Sequence, residues 1–253
     1  MFATIKLKTI KIVVSFCVIA CLLTINFKNG RFASVYFGSA LRELPIYNVE
    51  TKEKKIAISF DAAWGADKTL TIMKILKEYN CDATFFLVGF WVEEYPEIAK
   101  QIKENGFEIG THSNTHPDMV KLGKKQKEKE LKQSVDTIIN ITGYTPKLFR
   151  APFGSYNDEL ILTAKELNLT TIQWNVDSLD WKGISASEIY NRVVSKAQNG
   201  SIILCHNNAE FICEALPKIL VKLKNDGYEF VKISDLIYSE NFKIKHDGTQ
   251  ILL

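Results

Sequence analysis

His112 and His116 stand four residues apart in Gly110-Thr111-His112-Ser113-Asn114-Thr115-His116, in a chain with four histidines. At i and i+4 on a helical turn, both imidazoles face one way and can share a divalent cation. Their company makes the pair informative. Asp61 ends an apolar run upstream, and Arg150, Asp177 and His206 each follow or end one downstream. Reactive groups at the ends of strand-like runs are the layout of a site built at one mouth of a parallel barrel.

Two neutral imidazoles can hold Zn²⁺, Co²⁺ or a similar ion and leave positions for water and a substrate oxygen. Such an ion polarises an amide or ester carbonyl and lowers the pKa of its water. Asp61 is the candidate general base, kept ionised by Arg150. His206 is the candidate acid for a leaving amine, with Asp177 accepting from its other ring nitrogen. The plainer reading of Arg150 and Asp177 is a structural ion pair. Phe153 and Trp181 suit an apolar slot for an acetyl methyl, whereas Trp64 is expected in the core.

Positioning these groups requires regular elements. Seven strand-like runs are expected at Ile56–Phe60, Ala83–Val88, Phe107–Thr111, Leu148–Ala151, Thr170–Asn175, Ile202–Cys205 and Glu229–Ile233. Between them the apolar spacing turns helical, as in Leu70/Met73/Leu76, Ile98/Ile102, Leu131/Val135/Ile138, Leu160/Ala164/Leu167, Ile189/Val193/Ala197 and Leu216/Ile219/Leu223. Ser185 with Glu188 makes a capping box, Pro96 and Pro217 suit first helical turns, and Gly106, Gly143, Gly200 and Gly227 stand where helices should stop. Strands alternating with helices through right-handed crossovers predict a mostly parallel sheet curled into an incomplete barrel.

The 253 residues, 46% hydrophobic and 24% charged, describe a globular chain with one domain. A net charge of +3, with lysines gathered on one helix-like stretch and no interleaved aromatics, excludes a nucleic-acid footprint. Outside the N-terminal segment the cysteines are Cys81, Cys205 and Cys213, an odd set without CxxC spacing, so no disulfide framework is expected. Lys6, Lys8 and Lys11 precede the apolar run Ile12–Phe27, and Lys28 and Arg31 close it. This is a signal-type segment, read here as an uncleaved anchor that places the domain outside the membrane, with secretion the alternative where the signal is cleaved. The expected organisation is tip and anchor at 1–31, stalk at 32–53, catalytic domain at 54–240 and tail at 241–253.

The set Phe60-Asp61-Ala62-Ala63-Trp64-Gly65, His112-Ser113-Asn114-Thr115-His116, Arg150-Ala151-Pro152-Phe153-Gly154, Asp177-Ser178-Leu179-Asp180-Trp181 and Leu204-Cys205-His206 resembles the five ordered motifs of the NodB-homology polysaccharide deacetylases, carbohydrate esterase family four. The Phe-Asp-x-x-Trp-Gly form of the first motif is similar to that of the PdaB-like sporulation deacetylases. The resemblance covers about Lys54 to Tyr238. It implies a distorted, incomplete (β/α)₇ barrel behind an N-terminal membrane anchor, acting as a monomer on N-acetylated polysaccharide such as peptidoglycan. It also implies a divalent metal, zinc or cobalt, on His112 and His116. Asp61 would be the base, Arg150 its support and His206 the acid tuned by Asp177. The Phe153 backbone N–H would help bind the oxyanion, and Trp181 would floor the acetyl slot.

One departure matters. The family's first motif carries a second aspartate as third metal ligand, and Ala62 stands there. Asp67 is the nearest spare carboxylate, and Asp61 itself is the other candidate ligand, at the cost of being a poorer base. The alternative to an active enzyme is a glycan-binding relative with a degenerate metal site.

Overall fold

The computed structural model describes residues 42–253, organised around one central strand. The anchor and most of the stalk expected from the sequence lie outside the described residues. After a short β1 (Asn48–Val49) comes β2 (Lys55–Ala62), buried at every position past Lys55. A strand buried on both faces belongs inside a covered parallel sheet. β3 (Thr84–Leu87), β4 (Glu108–Thr111), β5 (Leu148–Phe149) and β6 (Thr170–Thr171) follow β2 on one side. On the other lie β8 (Ile202–His206) and β7 (Val176–Asp177), and β9 (Glu229–Phe230) also pairs with β2. Every pairing in this sheet is parallel. The strand path ends at β6 and β7, so the barrel is incomplete, as expected.

The expected run Thr170–Asn175 is where the barrel opens. Ile172 N–H still bonds Phe149 O on β5, but Gln173 N–H bonds Ile46 O and Asn175 N–H bonds Ile202 O. The backbone meets three different partners within four residues. It leaves β6 after Thr171 and re-enters the sheet as β7 on the far side. Side-chain alternation carries no record of which strand a backbone pairs with, so the break was invisible in the sequence.

Six helices cover the sheet where the apolar periodicity places them: Thr69–Glu78, Pro96–Glu104, Lys124–Thr142, Asp158–Glu166, Ala186–Lys196 and Ile212–Asn225. The capping box forms, Ser185 Oγ accepting from Glu188 N–H while the Glu188 carboxylate accepts from Ser185 N–H at 2.9 Å. Gly143 closes its helix with φ of 68°. Pro217 is a correction: it lies inside the helix that begins at Ile212, not in its first turn. Ile212, Ala215 and Leu216 extend the buried stripe N-terminal to it, and this burial offsets the backbone bond that proline cannot donate.

A second sheet of three strands was not foreseen. β1 pairs in parallel with β11 (Thr249–Leu252), which pairs antiparallel with β10 (Phe242–Ile244). Buried Gln250 ties this sheet to the chain after the barrel, accepting from Tyr238 N–H and donating to Tyr238 O. Val49 N–H bonds Gly200 O at 2.9 Å. A Cβ at Gly200 would lie 1.7 Å from Val49 O, and its φ is 76°, so only glycine permits this approach. Among the described residues no helix is long and apolar enough to cross a membrane.

Candidate active site

Parallel register brings the two central groups together. Asp61, near the end of β2, is the direct partner of His206 at the end of β8. Residues paired in this way share a face of the sheet, their backbones about 4.8 Å apart. Asp61 is buried, and Arg150 Nη1 donates to its Oδ1 at 2.7 Å and to Ser59 Oγ at 2.9 Å. The fully buried guanidinium also donates to Gln173 O at 3.3 Å and lies over the Phe86 ring, 4.1 Å from its centroid. Burial alone would raise the Asp61 pKa. The positive charge of Arg150, with smaller contributions from His112 and His206, outweighs it and holds the carboxyl below its ordinary value.

His112 follows β4. Its Nδ1 lies 2.7 Å from Arg150 O, a carbonyl that can only accept, so the neutral ring carries its proton on Nδ1. Nε2 is then a free lone pair, 3.5 Å from Asp61 Oδ2. Burial lowers the His112 pKa, and burial with repulsion from His112 lowers that of His116 to about 4. Both rings are therefore neutral at pH 7. Their centroids are 5.0 Å apart. The pair does not sit on a helical turn, however. The chain bends in a loop in which Ser113 and His116 both have positive φ.

That loop is pinned from both sides. Gly89 and Phe90 N–H groups bond Ser113 O and Asn114 O. Glu130, on the helix Lys124–Thr142, accepts from Asn114 N–H at 2.9 Å, Thr115 N–H at 2.8 Å and Thr115 Oγ1 at 2.7 Å. Glu130 was missed because it lies in a lysine- and glutamate-rich stretch that reads as a solvated face. Nothing in that stretch signals its partner sixteen residues upstream.

Across the cleft, His206 is held by Asp180, not by Asp177. Asp180 Oδ1 lies 2.8 Å from His206 Nδ1, and Oδ2 accepts from His206 N–H at 2.8 Å. Burial would lower the His206 pKa, but the hydrogen bond and charge of Asp180 raise it above the usual imidazole value. Asp177 instead accepts from Leu179 N–H at 2.8 Å while lining the cleft. Leu179, with φ of 55°, turns the chain after β7 and carries the buried Asp180 to His206. Both carboxylates lie in one motif, and only this turn tells them apart.

The groups line a cleft of about 680 Å³. Trp181 and Phe153 stand at its rim, 57% and 68% exposed, and Phe153 has φ of 61°. Trp64, expected in the core, is 57% exposed and also lines the cleft. Cys205 is buried with its pKa pushed well up by burial, which makes it an inert core residue.

The donor set for a metal falls short. The His116 Nδ1 is buried without a hydrogen-bond partner, and His112 Nε2 is free, so two neutral nitrogens are on offer. Ala62 is fully buried in the apolar core. Asp67 is exposed, its Oδ2 3.1 Å from Lys68 Nζ, and does not line the cleft. Among the described residues no three His, Cys, Asp or Glu side chains are grouped to hold an ion. The residues present do not make the three-ligand site of a catalytic zinc.

Residues 48–172 match the polysaccharide deacetylase family model. The chain is 34% identical over 186 residues to a peptidoglycan-N-acetylglucosamine deacetylase of Bacillus cereus, covering 72% of this chain and 68% of that protein. It is likewise 34% identical to the uncharacterized protein YlxY of Bacillus subtilis, of which it spans 62%. The fold matches a carbohydrate esterase family 4 pseudoenzyme from Bacillus anthracis with a TM-score of 0.74 and 35% identity, covering 76% of this chain and 68% of that one. A mutant of that pseudoenzyme with restored enzymatic activity matches equally well, at a TM-score of 0.74. With the curled parallel sheet, the five motif segments around one cleft and these likenesses in hand, the chain belongs to the polysaccharide deacetylase family.

Proposed function

We propose that this protein is an N-deacetylase of cell-wall glycan, with peptidoglycan as its polymer. The observation that carries this reading is the pairing of Asp61 with His206 across one cleft, each with its own counter-charge. Water attacks the acetamide carbonyl, and Asp61, held ionised by Arg150, takes one of its protons. His206, protonated with Asp180 behind it, gives a proton to the nitrogen as the C–N bond breaks. Acetate and a free amine result. Phe153 and Trp181 border the space for the acetyl methyl. The peptidoglycan deacetylase among its relatives supports this substrate. The test is acetate release from peptidoglycan and N-acetylglucosamine oligomers.

Buried Ala62 favours a second reading. A chain lacking a third metal donor, and similar to a pseudoenzyme of its own family, can bind glycan without cleaving it. It predicts saccharide binding with no acetate released. The disagreement between the two-imidazole donor set and zinc or cobalt dependence is thus the hinge between enzyme and relic.

We also place the domain outside the cytoplasmic membrane, as a monomer held by the N-terminal apolar run. The basic residues flanking Ile12–Phe27 support this placement. The Phe-Asp-x-x-Trp-Gly motif together with the short N-terminal apolar run supports a role in sporulation.

A further inference from the structure

Trp64 takes no part in the chemistry proposed above, yet it is displayed at the cleft. It lies on the loop after β2 with 57% of its surface open. An indole is among the costliest side chains to leave in water, and its usual fate is burial against the core. Trp91, nearby on the helix Gly89–Glu94, meets that expectation: it is fully buried and donates its Nε1–H to Gly65 O at 2.7 Å.

Trp64 is held in place rather than loose. Its ring lies 4.7 Å from that of His116, edge to face, and 6.4 Å from Phe90. Phe153 meets His116 with the same 4.7 Å separation. The His116 imidazole is thus bracketed by two exposed aromatic rings continuous with the site of the proposed acetamide chemistry. An acetamide alone does not need a cleft of about 680 Å³, which is of the size that holds whole drug-sized ligands. Sugar rings present flat faces of C–H groups, apolar and uncharged, which suit an aromatic platform.

We propose that Trp64 forms a stacking platform for a pyranose ring next to the residue whose acetamide enters the cleft beside Phe153. The protein therefore recognises a chain of N-acetylated sugars and not a single sugar. This inference rests on the reading that the cleft takes N-acetylated glycan.

The experiment measures binding of N-acetylglucosamine di- and tetrasaccharides to the full chain in mild detergent, by calorimetry. Wild type, Trp64→Ala, Trp64→Leu and Trp64→Phe are compared, with thermal midpoints to confirm folding. Wild type should bind the tetrasaccharide more tightly than the disaccharide. Trp64→Ala and Trp64→Leu should each lose at least tenfold in tetrasaccharide affinity, while Trp64→Phe keeps most of it. Equal tetrasaccharide binding by wild type and Trp64→Ala would overturn the subsite while leaving the cleft reading intact. Trp64→Leu binding as well as Trp64→Phe would show apolar cover without stacking, and would overturn it too. Wild type that binds neither oligomer would instead overturn the glycan reading on which the subsite depends.

Discussion

Asp61 and His206 are register partners across β2 and β8, and each is held by a different buried charge, Arg150 for the first and Asp180 for the second. The two environments push in opposite directions: the carboxyl is held below its ordinary pKa and the imidazole above. At neutral pH this favours a charged carboxylate beside a protonated imidazole, the division of labour that general base and general acid require.

The Arg150–Asp61 pair is buried, so removing one partner strands the other. Arg150→Met should destabilise the protein by about 3–5 kcal/mol. Denaturant titration checks this, and the double variant Asp61→Asn with Arg150→Met should recover part of the loss, because no lone charge remains.

Asp180 sets the alkaline limb of activity. His206 must be protonated to act as acid, and its folded pKa is raised. Activity should hold below that raised value and fall as pH rises through it. Asp180→Asn removes the charge that raises the pKa, so the alkaline limb of kcat/KM should move to lower pH. Asp177→Asn should move that limb far less, since Asp177 bonds Leu179 N–H and acts on His206 only through a smaller charge contribution than that of Asp180. The same linkage applies to stability: the contribution of the His206–Asp180 pair is fully present below the unfolded pKa of about 6.5 and is lost as pH rises through the folded value.

Glu130 accepts three hydrogen bonds from the loop between the histidines. Glu130→Ala leaves two backbone N–H groups and one hydroxyl without it; water reaches exposed Thr115, so the net cost should be about 1–3 kcal/mol, that of one unsatisfied donor. Glu130→Gln should restore part of this in thermal unfolding, because one acceptor oxygen remains.

Metal binding should be weak. Two neutral imidazoles bring no charge of their own, and Ala62 offers no donor. Calorimetric titration with Zn²⁺ should show a loosely held ion, and Ala62→Asp should tighten it by at least tenfold, about 1.4 kcal/mol. Asp67→Ala should change nothing, because its carboxylate faces Lys68 at the surface.

Much of this was legible in the chain. Apolar periodicity placed the six long helices of the described residues, and the run ends placed Asp61, His112, Arg150 and His206 at one mouth of the sheet. What escaped were features set by backbone direction. Leu179, in the left-handed region, decides that Asp180 and not Asp177 meets His206. The bends at Ser113 and His116 replace the expected helical turn, and the partner changes after Thr171 open the barrel. Trp64 was read as core because an aromatic beside an apolar run usually is. Only the solvent-facing loop after β2 shows otherwise.

The most direct measurement is acetate release by the full chain from peptidoglycan and N-acetylglucosamine tetrasaccharide, with and without added Zn²⁺ or Co²⁺, beside Asp61→Asn. The wild type should release acetate, and Asp61→Asn should lose at least a hundredfold, on the order of what a positioned base supplies. No release from either glycan under any metal, or release that persists undiminished in Asp61→Asn, would contradict the proposed mechanism.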